Sequence, residues 1–327
     1  MQMRIRESSQ AGEARREAVV QAASIGFGEE RAGRVALVVS ELTSNLLKHA
    51  GRGGELFISP LEQDGGSAVE ILALDRGPGL ADTTAALRDG YSTAGSSGTG
   101  LGAVSRLSDE FELYSKPGVG TIVLSRIWAS RAPARGQTNV GGVCAAKEGE
   151  RVSGDAFAVS EGGGQTRIIL ADGLGHGPEA HKAAATAVRV FRAEPGALTS
   201  VLEAIHRALR PTRGAAVAMA EIDGERRIVG YAGIGNISGA IVTREAMRSL
   251  VSHSGTAGHA MRRIQEFSYE IPPDALLVLH SDGLKSRWSI DPYPGLAQKD
   301  PAIVAATLYR DFQRGRDDAT AVVAKLP

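Results

Sequence analysis

The spacing of apolar residues predicts a layered α/β arrangement over the first 128 residues. Helical spacing indicates one helix at residues 14–25 and a second at about 29–50, each ended by glycines. Apolar runs bounded by turn residues predict strands. The predicted strands are 4–6, 56–58, 69–74, 111–114 and 121–127, and a short helix is predicted at 101–107.

From residue 139 the pattern changes to many short apolar runs separated by helical segments. Predicted strands are 139–146, 156–159, 166–171, 215–222, 227–232, 238–242 and 275–280, and predicted helices are 178–193, 198–209 and 302–312. The polar stretch 129–138 contains Pro133 and Gly136 and is typical of a linker. We therefore expect two domains, 1–128 and 139–327, the second being a β-sandwich flanked by helices.

Composition narrows the class of protein. The chain has 327 residues and equal numbers of basic and acidic residues, 37 of each, so a nucleic-acid partner is not expected. No stretch approaches the ~18 apolar residues needed to cross a bilayer, and the polar first ten residues lack a signal sequence, so we expect a cytoplasmic protein without membrane contact. The single cysteine, Cys144, excludes an internal disulfide framework. Glycine is abundant, with 41 residues.

Three motifs in the first half suit a nucleotide site. Glu41 and Asn45 lie one turn apart on the second helix, where a carboxylate can accept a proton and an amide oxygen can bind Mg²⁺. Asp75 ends a strand and is followed by Gly77 and Gly79, which let the backbone approach a ligand closely. A glycine-rich stretch opens the short helix, where backbone N–H groups can bind phosphate; its glycines are Gly98, Gly100 and Gly102.

The segments ELTSNLLKHA, LDRGPGL and GYSTAGSSGTGLG, with the final Gly120-Thr121, resemble the motifs of the GHKL ATPase family over about residues 4–127. The nearest branch in this resemblance is that of RsbT/RsbW-like serine kinases and anti-sigma factors. It implies a Bergerat α/β sandwich in which Asn45 holds Mg²⁺ with ATP, Glu41 is the base on a substrate serine and Asp75 binds adenine. The glycines named above and Thr121 would shape the nucleotide pocket.

Acidic residues in the second half recur beside glycine or at strand ends. They are Asp155, Asp172, Asp282, Asp317 and Asp318. A surface turn explains any one Asp-Gly pair, but it explains the whole set less well. Clustered carboxylates suit Mg²⁺ or Mn²⁺, and two such ions can activate water for an in-line phosphoryl displacement.

The segments VSGDAFAV, IILADGLGHGPEA, LHSDGL and GRDDATAVV resemble the PPM protein phosphatase superfamily in its SpoIIE/RsbX branch. The resemblance implies two Mn²⁺ or Mg²⁺ ions bridged by Asp172, which is the central catalytic ligand. Gly173 would contribute its carbonyl, and Asp155, Asp282 and Asp317 would complete the metal site. Animal-type phosphatases carry a histidine two residues after the bridging aspartate, where this chain has Leu174; whether His176 replaces it is open.

Together the two resemblances predict a bifunctional regulator of partner switching. The second half would be a serine/threonine phosphatase and the first half a serine kinase, both acting on STAS-domain, stressosome-type anti-anti-sigma proteins. A sigma factor or another phosphatase is a further candidate partner. The alternative is that the first half is an ATP-binding anti-sigma adaptor or a nucleotide sensor and that only the second half is catalytic. The motifs do not separate these possibilities.

Overall fold

The computed structural model describes residues 1–51, 53–63, 65–87, 100–130, 139–261 and 263–327. The chain divides into two compact units, Met1–Thr138 with Tyr293–Arg310, and Asn139–Pro292 with Asp311–Pro327. In the described residues no helix is long and apolar enough to cross a membrane. The assignment of functional domains to residues 1–128 and 139–327 stays a prediction, and most of the expected linker lies outside the described residues.

The first unit contains one antiparallel sheet whose one face is covered by three helices from the first 107 residues. Its strands lie in the order β1-β2-β3-β5-β4. They are β1 (Gln2–Ile5), β2 (Gly54–Gln63), β3 (Gly66–Asp75), β4 (Glu110–Lys116) and β5 (Gly120–Trp128). The helices are α1 (Ser8–Ser24), α2 (Glu29–His49) and α3 (Gly100–Leu107).

Helix α2 is the central helix of this unit. Its apolar stripe, including Val35 and Leu42, is buried in the core with alternate residues of β2 and β3. Acidic residues in its first turn and basic residues in its last turn complement the helix dipole. The stripe buries one side of α2, so its polar line remains available for a site.

The opposite face of the first sheet is also covered. The segment 293–310, which includes most of helix α6 (Pro301–Phe312), belongs to this unit. Tyr309 packs edge-on against Phe57 at 5.4 Å between ring centroids. The Arg126 side chain is 1% exposed and pairs with Glu70, Glu110 and Asp300 at 2.7–3.0 Å. This buried charge network secures the segment on the sheet.

The second unit contains two five-stranded antiparallel sheets. Their orders are β13-β10-β9-β8-β7 and β12-β11-β14-β15-β6. The strands are β6 (Val140–Ala145), β7 (Asp155–Gly162), β8 (Gln165–Gly173), β9 (Ala215–Asp223), β10 (Ile228–Ile234), β11 (Ser238–Val242), β12 (Met247–Ser249), β13 (Phe267–Glu270), β14 (Leu276–His280) and β15 (Ala319–Lys325). Helices α4 (Pro178–Ala193) and α5 (Leu198–Leu209) accompany them.

Strand alternation decides which residues fill each layer of this unit. On β8, Ile168 and Leu170 join the core between the sheets, whereas Ile169 and Ala171 join the core under α4 and α5. The expected two-domain α/β architecture, with a sandwich flanked by helices, is confirmed. The sequence pattern missed β12 and β13 because both are short and one contains no buried side chain.

Candidate functional sites

The predicted nucleotide residues of α2 face the start of α3. A side-chain carbon added to Gly100 would lie 3.0 Å from Asn45 Oδ1 and 3.4 Å from Glu41 Oε2. The Asn45 amide nitrogen is buried and makes no hydrogen bond among the described residues. An unsatisfied buried amide is costly, so a polar ligand at this position would relieve it.

Asp75 lies at the end of β3, beside the same helix. Its Oδ1 accepts hydrogen bonds from the backbone N–H groups of Gly77, at 2.7 Å, and Thr121, at 3.2 Å. Burial raises the pKa of Asp75, and the two backbone hydrogen bonds oppose that rise. The two bonds therefore fix the orientation of the carboxylate, and in the described residues its second oxygen makes no hydrogen bond. That oxygen suits a donor such as an exocyclic amine.

The backbone around Asp75 needs glycine at Gly79 and is tightly packed at Gly77. Gly79 has φ +69° and a side chain there would overlap the Lys116 carbonyl, while a side-chain carbon on Gly77 would lie 3.0 Å from Ala50 Cα. Gly102 is buried on α3. Gly98 lies outside the described residues, so its predicted contact with phosphate stays a prediction. The other predicted nucleotide residues come together around α2, β3 and the start of α3.

The predicted metal residues come from the ends of neighbouring strands in the second unit. Asp155 and Asp172 lie opposite each other in the β7–β8 register. Gly283, which follows Asp282, touches the backbone of Asp318, because a side chain on Gly283 would overlap the Asp318 carbonyl oxygen. Gly173 likewise presses against the Ala180 backbone, where a side chain would overlap.

These carboxylates act on one another electrostatically. Burial raises the pKa of Asp172 to about 9, with further contributions from the charges of Asp155, Asp282, Asp317 and Asp318. Burial also raises the pKa of Asp155 to about 7, and the charges of Asp318 and Asp282 add to the rise. Mutual repulsion among acidic groups in a partly buried site is the condition that a cation relieves.

The donor set fits hydrated divalent ions. Asp155 Oδ2 and Asp318 Oδ2 are buried without a hydrogen-bond partner among the described residues. Over the same ranges, no three acidic, histidine or cysteine side chains already converge tightly enough to hold an ion alone. Mg²⁺ keeps several waters and takes one or two carboxylates, so separated oxygen ligands suit it.

Other residues at this site carried weak sequence signals or none. Asp318 is buried, and its Oδ1 accepts a hydrogen bond from the Lys147 N–H at 2.9 Å. Asn236 donates to Asp282 Oδ2 at 2.8 Å. Glu150 contacts His176, and its loop carried no motif that singled it out. The buried His280 accepts a hydrogen bond from the Trp288 indole N–H at 2.9 Å, as a core histidine does.

Known protein families match both the first and the second half of the chain. Residues 6–126 match the family model of the histidine kinase-like ATPase domain, and residues 162–327 match that of stage II sporulation protein E (SpoIIE). The serine/threonine-protein kinase RsbT of Bacillus subtilis (strain 168) is 38% identical over 107 residues, which are 33% of this chain and 80% of RsbT.

Solved structures resemble the chain as well. One is described as the bacterial stressosome, a modular system that has been adapted to control secondary messenger signaling. It is 27% identical to this chain, with a TM-score of 0.53. The matched region covers 57% of this chain and 98% of the solved chain. A second is RsbX in complex with magnesium, which is 21% identical to this chain with a TM-score of 0.49. The matched region covers 57% of this chain and 94% of the RsbX chain.

Fold and site define the class: a partner-switching regulator architecture that joins an RsbT-like, kinase-type domain to a PP2C-type phosphatase fold. GHKL domains bind ATP, and PPM phosphatases depend on metal ions. The chain belongs to the SpoIIE family, whose model matches just over half of its length, and carries a histidine kinase-like ATPase domain at its N-terminal end.

Proposed function

We propose that residues 139–327 remove phosphate from a phosphoserine or phosphothreonine of a protein partner, with two Mn²⁺ or Mg²⁺ ions as cofactors. The observation that carries this proposal is the acidic cluster, in which burial and neighbouring carboxylates raise the pKa of Asp172 to about 9. Bound ions would supply a Lewis acid and an activated water for phosphoryl displacement. The residues of this chain supply the carboxylates that hold them.

The roles that we propose within the cluster are those that the resemblance to PPM phosphatases implies. Asp172 would bridge the ions, and Gly173 would contribute its backbone carbonyl beside it. Asp155 and Asp282 would complete the set with Asp317, whose carboxylate accepts a hydrogen bond from the Asp318 N–H. Asp155, Asp172 and Gly173 lie at strand ends, and Asp282 and Asp317 lie in the loops next to β14 and β15. The rigid sheets therefore support the cluster.

For residues 1–128 we propose that Asn45 holds Mg²⁺ with ATP, that Asp75 binds the adenine amine and that Glu41 is the base on a substrate serine. The match to RsbT and the position of Glu41 and Asn45 on α2, facing the start of α3, support this role. STAS-domain proteins of the stressosome type are the proposed partners of both sites. The domain boundaries 1–128, 129–138 and 139–327 are part of the proposal.

A phosphate-release assay tests the phosphatase. The full chain with Mn²⁺ is incubated with a phosphorylated STAS protein, and Asp172→Ala is compared with wild type. We expect the variant to lose phosphate release while it still binds ATP in a calorimetric titration. Unchanged phosphate release by Asp172→Ala would refute the assignment.

A second assay separates the kinase from the alternatives. Radiolabelled ATP is incubated with the full chain and an unphosphorylated STAS protein, in an Asp172→Ala background that prevents removal of the label. Transfer that is lost in Glu41→Gln and in Asn45→Ala supports a kinase. Retention of the partner without label supports an anti-sigma-like adaptor. If neither is seen, phosphate release is measured with Asp172 intact, and a release rate that depends on nucleotide supports a sensor.

A further inference from the structure

A histidine–carboxylate pair lies in the loops that border the acidic cluster. His176 Nδ1 and Glu150 Oε1 are 2.6 Å apart. Glu150 precedes β7 and His176 follows β8, so the pair joins the two loops next to the strand ends that carry Asp155 and Asp172. The His176 side chain is 48% exposed, so it is accessible to a protein substrate.

Several contacts place this pair against the cluster. A side-chain carbon on Gly154 would lie 2.7 Å from Asp318 Oδ2 and 3.4 Å from the Gly175 carbonyl oxygen, so the loop that carries His176 passes close to Asp318. His176 is also among the groups whose charge lowers the pKa of Asp318, against the larger effect of burial. The imidazole is therefore near the cluster in space as well as in sequence.

The loop is built to hold the carboxylate in place. Gly177 has φ +74°, and a side-chain carbon on it would lie 2.9 Å from Glu150 Oε2. L-residues rarely adopt this backbone conformation, so glycine suits this position, and the Glu150 carboxylate packs directly against it. His176 Nδ1 is thus engaged by Glu150, while Nε2 makes no hydrogen bond in the described part of the chain.

The proposed reaction needs a proton donor at this position. A seryl alkoxide is a poor leaving group, so breaking the phosphorus–oxygen bond requires protonation of the seryl oxygen. A carboxylate that holds a cation must be ionised and cannot supply that proton. An exposed imidazole whose other nitrogen is fixed by a carboxylate is the common protein solution to this need.

We propose that His176 is the general acid of the phosphatase reaction and that Glu150 is its positioning residue. The proposal rests on the phosphatase function proposed above. The oxygen of water forms a bond to phosphorus as the bond from phosphorus to the seryl oxygen breaks. The proton on Nε2 passes to the seryl oxygen, the water gives a proton to solvent, and solvent reprotonates the imidazole. The products are inorganic phosphate and a serine hydroxyl.

Two substrates with different leaving groups test this role. p-Nitrophenolate leaves without protonation, whereas serine does not. We expect His176→Gln to lower kcat for a phosphoserine peptide by about 10²–10⁴-fold, as loss of a general acid does, and to lower kcat for p-nitrophenyl phosphate by less than about tenfold. Glu150→Gln should lower the phosphopeptide rate by a smaller factor with the same selectivity.

His181→Gln is the matched control, because His181 is an exposed imidazole on α4 whose Nδ1 contacts a backbone carbonyl, that of Ser153, at 2.9 Å. It should leave the ratio of the two rates unchanged. Equal losses on both substrates in His176→Gln would overturn the general-acid role while leaving the phosphatase intact. If wild type with Mn²⁺ cleaves neither substrate, the proposed function itself fails, and this inference fails with it.

A nuclear magnetic resonance measurement provides a readout independent of activity. Two-bond ¹H–¹⁵N correlation spectra of the metal-free chain, assigned by comparison with His176→Gln, report which ring nitrogen carries the proton in the neutral imidazole. We expect Nδ1–H in wild type, because Glu150 accepts from it, and loss of that preference in Glu150→Gln. An Nε2–H ring in wild type would overturn the positioning role of Glu150.

Discussion

Replacing Asp172 by asparagine is expected to stabilise the metal-free protein, although it removes the central metal ligand. The pKa of this carboxyl is raised from 3.8 to about 9, chiefly by burial and then by its acidic neighbours. Between these values the folded state binds more protons than the unfolded state, so stability is highest at low pH and falls as pH rises. Asparagine carries no charge and escapes this penalty.

The size of this free-energy penalty follows from how far the pKa of Asp172 is raised. Each pH unit over which only the folded state stays protonated costs about 1.4 kcal/mol. Because about three such units separate 3.8 from neutrality, the penalty at pH 7 is about 4 kcal/mol. Part of this penalty belongs to the neighbouring carboxylates, because their charges contribute to the raised pKa. We therefore expect Asp172→Asn to raise the free energy of unfolding by about 2–4 kcal/mol at pH 7 in EDTA.

Tryptophan fluorescence provides the assay. The chain has two tryptophans, Trp128 in the first unit and Trp288 in the second. In a Trp128→Phe background, urea unfolding followed through Trp288 reports the second unit at pH 5, 7 and 9. The difference in the free energy of unfolding between Asp172→Asn and the protein with Asp172 should increase with pH. Added Mn²⁺ should stabilise the protein with Asp172 but not the variant.

A control carboxylate sharpens this test. Asp223, at the end of β9, has a pKa lowered chiefly by the backbone hydrogen bond from Arg226, so Asp223→Asn should bring no gain. Lower or equal stability of Asp172→Asn in EDTA at pH 7, with a native circular dichroism spectrum, would refute the account of a repulsive acidic cluster.

Three further outcomes are expected. Asp75→Asn should weaken ATP binding by about 10–100-fold in calorimetry, since a hydrogen bond to a charged group contributes about 1.5–3 kcal/mol, and an unchanged Kd would exclude the adenine contact. Arg126→Met should cost about 3–5 kcal/mol in urea unfolding of the first unit, because it leaves three carboxylates unpaired; a neutral result would contradict the buried network. Gly283→Ala should weaken Mn²⁺ affinity by about 10–100-fold by displacing the backbone from Asp318, whereas Gly162→Ala, which meets no neighbouring atom, should not.

The sequence predicted local structure well where one pattern dominated. Helices α4 and α5 and strand β11 have the bounds that periodicity indicated, since the apolar spacing and the flanking turn residues agree there. The short strand β12 could not be predicted, because its three exposed residues carry no burial pattern. It is a strand because its backbone pairs with β11, and its own side chains give no sign of that pairing.

The sequence predicted some features of the candidate sites, and others are seen only in the structure. Motif order indicated which carboxylates and glycines belong together, but not that burial would raise the pKa of Asp155 to about 7. Glu150 carried no signal, because a carboxylate in a loop is usually solvated. Only the structure shows that it lies 2.6 Å from His176 Nδ1. That contact depends on how two loops meet in space.

The sequence by itself determined the two families of motif, the helix and strand content, and the residue types available for nucleotide and metal chemistry, because these depend on local spacing. Only the tertiary structure decided that the segment 293–310 belongs with the first sheet through Arg126 and Asp300, which are 174 residues apart. It also decided that strand register brings Asp155 opposite Asp172. Long-range pairings leave no periodic trace in the sequence, since chain folding alone brings such residues together.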